Sequence, residues 1–99
     1  MIPIDVTRPF TRQIGCHPRE YERGLYLAYP DGVSGGPMEF SVTSGAVTLH
    51  ITLEIGPERR IALMRLPTLI AHFQFEGGTV ADREGFLRHL DLATQRGGG

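Results

Sequence analysis

An α+β domain rich in strand is what this 99-residue chain predicts: an antiparallel β-meander of five or six strands, open or curled into a barrel-like shape, with one C-terminal α-helix. Three observations carry that expectation. Val47, Leu49, Ile51, Leu53 and Ile55 alternate without error with Thr48, His50, Thr52 and Glu54, the period of a strand with one dry and one wet face. A second alternating run, Met38, Phe40 and Val42, precedes it across Ser44-Gly45, where glycine suits a tight turn. Beyond Gly77-Gly78 the apolar residues change to helical spacing.

Taken in order, Ile2, Ile4 and Val6 alternate around Pro3 and read as a short edge strand, where a missing N–H is tolerated. Residues 1–24 otherwise form a polar N-terminal segment, with no clear period between Arg8 and Arg23. Residues 25–76 form the meander. Leu25–Tyr29 reads as a strand ended by Pro30-Asp31-Gly32, and Val33–Pro37 as a glycine-rich loop. The hairpin 38–55 follows. After the turn Gly56-Pro57-Glu58-Arg59, Arg60–Leu66 is apolar on both faces and is expected to be a central third strand. Pro67–Glu76 fits either a strand or a helix stripe, and the strand pattern fits it better, with only Ile70 out of step. Residues 79–96 read as the helix. Thr79 caps it with Asp82 in capping-box position, Val80, Phe86, Leu87, Leu90 and Ala93 form its apolar side, and Gly85 weakens it. Residues 97–99 are a glycine tail.

Composition bounds the function. An apolar fraction of 40% and a charged fraction of 21% describe one ordinary globular domain. The longest nearly apolar stretch, Ile61 to Phe73, is interrupted by Arg65, Pro67 and His72, well short of the roughly 20 residues of a membrane span. The N-terminus shows neither the basic region nor the apolar run of a secretory signal. Cys16 is the single cysteine, which rules out an internal disulfide and an all-cysteine zinc site and suits a reducing compartment. A cytoplasmic protein is therefore expected. Lys and Asn are absent, as in a GC-rich coding sequence, so Schiff-base, catalytic and P-loop lysines are excluded. The net charge is −1, and no segment is basic enough for non-specific phosphate binding.

The candidates for chemistry each have a plainer explanation. Cys16-His17 places a nucleophile beside a base, with Arg12 and Arg19 near in sequence, yet catalytic pairs meet in space and need an orienting third group. His50 and His72 fall on polar strand faces and share one face if residues 60–66 lie between them. Glu54, Glu76 or His89 could complete a metal set, in a spacing that matches no established zinc pattern. Glu39, Glu54 and Glu76 could serve as an acid/base pair only inside a cleft. The loop Asp31–Gly36 lacks both the following helix and the lysine of a phosphate loop. The terminal Gly98-Gly99 resembles, in its last residues, the tail of ubiquitin-like and sulfur carriers, although it has a third glycine and follows a helix.

The sequence therefore predicts no catalytic residue, metal or cofactor. The expected function is a non-catalytic protein-interaction module: an accessory subunit, inhibitor or assembly factor. Its expected contact surface comprises Arg8, Phe10, Arg12, Arg19, Tyr21, Arg23, Tyr26 and Tyr29, because Arg and Tyr are enriched at interface hot spots. The partner is another protein or a second copy, paired through an edge strand or the 38–55 hairpin, with no nucleic acid and no membrane. A small-molecule or metal binder using His50 and His72, and a Gly-Gly carrier, are the alternatives.

Overall fold

The computed structural model describes residues 4–95. Chain order is β1 (Phe10–Ile14), α1 (Pro18–Ala28), β2 (Val33–Gly35), β3 (Glu39–Ser44), β4 (Val47–Ile55), β5 (Arg59–Ile61), β6 (Met64–Leu66), β7 (Leu69–Glu76) and α2 (Val80–Gln95). Five strands form an open antiparallel sheet ordered β1-β7-β4-β3-β2, and β5 and β6 pair only with each other. The domain is thus α+β, mostly strand, with a C-terminal helix and no closed barrel.

The alternation in β4 builds the core. Val47, Leu49, Ile51 and Leu53 are buried, and the register sets Ile51 opposite Phe73 and Leu53 opposite Ala71 on β7. Across β3 the same face adds Phe40 and Val42. Both helices close this face, with Tyr21, Leu25 and Ala28 from α1 and Phe86, Leu87 and Leu90 from α2 in one apolar cluster. The helices meet closely where Gly24 lies against Thr94; a Cβ on Gly24 would stand 3.0 Å from the Thr94 Cα. Arg83 ties the N-terminal segment to the start of α2, donating to the carbonyls of Gly77 (2.8 Å) and Val6 (3.0 Å).

The expected cap of α2 is present in reciprocal form. The Asp82 N–H donates to Thr79 Oγ1 (3.1 Å), and the Thr79 N–H donates to Asp82 Oδ2 (3.0 Å), so two N–H groups at the helix start are satisfied. Thr79→Ala should cost about 1 kcal/mol and lower the thermal midpoint by roughly 4–8 °C. A calorimetric scan showing no shift would remove the cap from the account. Val80, assigned to the helix's apolar side, is 49% exposed in the first turn.

Four readings are corrected. Leu25–Tyr29 is not a strand but the last turn of α1 and its C-cap: Tyr21, Leu25 and Ala28 recur at helical spacing on the buried side, while Leu27 is 70% exposed. Five apolar residues are too short a window to display a 3.6-residue period. Arg60–Leu66 is not a central strand, because β5 and β6 turn at Ala62-Leu63 and stand apart from the sheet. The N-terminal edge strand is β1: residues 4–6 form no strand, and the rest of the expected strand, residues 2 and 3, lies outside the described residues. Val33–Gly35, read as loop, pairs with β3. Pro67–Glu76 resolves as strand from Leu69, with Ile70 half-buried on the wet face.

Candidate functional site

With both helices on one side, the opposite side of the sheet faces solvent, and period-two alternation decides what it displays. His50 and His72 do share that face, but on directly paired strands with no strand between them. Each has a glutamate neighbour: His72 Nε2 lies 2.7 Å from Glu54 Oε1, and His50 Nε2 lies 3.9 Å from Glu76 Oε2. His89 sits on α2, where its Nε2 meets the Ala28 carbonyl at 2.8 Å. Among the described residues no group of three or more His, Cys, Asp or Glu could hold a metal ion, so the fold does not assemble the metal set.

Ser41 Oγ lies 3.1 Å from His50 Nδ1, aligning a hydroxyl, an imidazole and the Glu76 carboxylate across three strands. The His50 side chain is 47% exposed and that of Glu76 is 76% exposed. On an open face water competes with every member of such a row, so these are cross-strand surface bonds rather than an activated nucleophile. Glu39 joins Glu54 and Glu76 on this face. All three are exposed on the flat sheet rather than held in a cleft.

The expected contact set is divided by the fold. Tyr21 is 2% exposed and belongs to the core, its hydroxyl pushed far up by burial. Phe10 stacks on Phe73 with centroids 5.1 Å apart. Arg12 lies over both rings and pairs with Asp91 at 2.6 Å. Tyr29 stacks on Phe86 at 4.4 Å and donates its hydroxyl to the Phe86 carbonyl at 3.0 Å. What stays exposed is Arg8, together with Arg19, Arg23 and Tyr26 on the outer side of α1. Cys16 is 4% exposed, and burial raises its thiol above the ordinary range. It is therefore a protonated core group, while His17 is the exposed N-cap residue of α1. Gly98 and Gly99 lie outside the described residues.

Of the two surfaces expected to mediate self-pairing, edge strands are present in the sheet, and the hairpin does not lie at an edge. β3 lies between β4 and β2, and β4 between β7 and β3, so the 38–55 hairpin is interior to the sheet. The sheet's edges are β1 and β2; β1 carries Arg12 on its inward side, a charge placement that guards an edge against indiscriminate pairing.

The feature that sequence reading missed is the hairpin β5–β6. Its register pairs Arg59 with Leu66, Arg60 with Arg65 and Ile61 with Met64. One side therefore carries Arg59, Ile61, Met64 and Leu66, and the other the two opposed arginines, with a single carboxylate, Glu58, 3.9 Å from Arg60 and 3.8 Å from Arg65. At the tip Leu63 is fully exposed, flanked by Ile61 at 52% and Met64 at 61%. Ala62 holds a φ of +55°, a conformation that favours glycine. A signal was available: three arginines within Arg59–Arg65 are incompatible with a strand buried on both faces.

No described helix is long and apolar enough to cross a membrane. The chain matches no protein-family model, curated protein or solved structure.

Proposed function

We propose that this domain is a non-catalytic protein-interaction module of the cytoplasm, an accessory subunit, inhibitor or assembly factor, whose contact element is the hairpin Arg59–Leu66. The observation that carries this reading is the complete exposure of Leu63 between exposed Ile61 and Met64. A connection needed only to join β4 to β7 would be short and polar; this one places three large apolar side chains in water. An isolated two-stranded hairpin is marginal by itself, so those side chains contribute little to folding. Buried against a partner, each is worth about 1.5–3 kcal/mol before the cost of association. Flanking Arg59, Arg60 and Arg65 supply the polar rim that surrounds an apolar contact. The lone Cys16, free and buried, accords with a reducing compartment.

The test compares the wild-type chain with Ile61→Asp/Leu63→Asp, both purified from the producing cell and read by quantitative mass spectrometry and sedimentation. The variant should melt within a few degrees of wild type, because neither side chain is buried. It should lose an association that the wild type shows. Equal association by the two proteins would refute the hairpin as contact element.

A further inference from the structure

We infer that the hairpin's partner is a second copy of this chain, the basic apolar hairpin of each copy lying on the open sheet face of the other. The inference rests on the hairpin being the contact element and adds its occupant. Charge is segregated between two surfaces of one molecule. The hairpin sets Arg60 directly opposite Arg65, with Arg59 on its other side, and like charges facing each other across strands destabilise a hairpin. Among the described residues Glu58 is the one carboxylate within ion-pair distance, at its outer limit from both. A partner surface rich in carboxylates would relieve this.

The open sheet face is such a surface. Its outward positions on β3, β4 and β7 carry Glu39, Glu54 and Glu76 and no arginine; His72 and His50 stand beside Glu54 and Glu76, and Glu39 has no such neighbour among the described ion pairs. It also offers apolar matter: half-buried Ile70 and the methyl groups of Thr48 and Thr52 line the same strands, a floor for Leu63 at the hairpin tip and for the aliphatic stems of Arg60 and Arg65. One hairpin is small against the roughly 800 Å² per partner of a stable interface. Two reciprocal contacts double the area and close the assembly about a twofold axis. A membrane is the poorer match, since juxtamembrane lipid binding uses four or more clustered basic residues, and the hairpin offers three arginines beside Glu58.

The experiment is sedimentation equilibrium of the whole chain over a wide concentration range, at low and at high salt. The wild type should reach twice the chain mass, and salt should weaken the dimer. Arg60→Glu/Arg65→Glu should raise the dimer dissociation constant at least about tenfold, and Glu39→Arg/Glu54→Arg should do the same. Mixing these two charge-reversed proteins should restore a heterodimer, because each hairpin then meets a face of opposite sign. A wild type that is monomeric throughout overturns the inference, as does a dimer indifferent to Glu39→Arg/Glu54→Arg. If the wild type is monomeric while Ile61→Asp/Leu63→Asp still loses a different protein, the second copy is wrong and the interaction module stands. If the hairpin substitutions alter neither self-association nor any other association, both readings fall.

Discussion

Phe73→Ala is expected to remove about 3–5 kcal/mol of stability, a large share of the roughly 5–15 kcal/mol a domain of this size possesses. Phe73 is 1% exposed in β7, between β1 and β4, opposite Phe10 on one side and Ile51 on the other. Its ring stacks on Phe10 and lies 5.6 Å from the Arg12 guanidinium. Truncation would open a cavity beneath both helices and leave Arg12 over empty space. The measurement is urea unfolding, with a large fall in midpoint at unchanged slope. A loss below about 1 kcal/mol would mean that the core is not organised around this ring.

Leu25→Ala should cost about 2–5 kcal/mol, while Leu27→Ala should be nearly neutral, within about 0.5 kcal/mol. Leu25 is fully buried and Leu27 is 70% exposed. The pair separates two local structures. In a strand, residues two apart share a face and both would matter alike; in a helix they point in different directions. Matched losses at the two positions would return residues 25–29 to the sheet.

Legibility in the sequence followed how completely each element was half-wet and half-dry. β3 and β4 carry one buried and one solvated face, so alternation alone announced them; His50 and His72 share a face for a different reason than expected, direct pairing of β4 with β7. The reciprocal Thr79–Asp82 cap was legible because its residue types and spacing are specific. α1 was hidden because its apolar side starts at Tyr21 amid Arg19, Glu20, Glu22 and Arg23, whose charge belongs to the wet side of the same helix. β1 was hidden by Arg12, an arginine on the dry face that is tolerated because Asp91 and two aromatic rings receive it. Long-range partners of that kind are invisible in a local window. The hairpin failed for a different reason: apolar residues on both sides of a short run mean double burial in a sheet, yet here they mark a surface.

The central claim is that residues 59–66 serve association and not the fold. Ile55 pairs with Leu69, and the Gly56 N–H donates to the Thr68 carbonyl at 2.8 Å, so β4 and β7 can be joined just beyond that bond. Replacing residues 57–67 by Asn-Gly, a two-residue hairpin turn, tests the claim most directly when thermal unfolding and sedimentation are read on the same sample. The expected result is a folded domain with a melting midpoint within a few degrees of the wild type and no remaining association. An unfolded chain, or a folded one that associates as the wild type does, would contradict it.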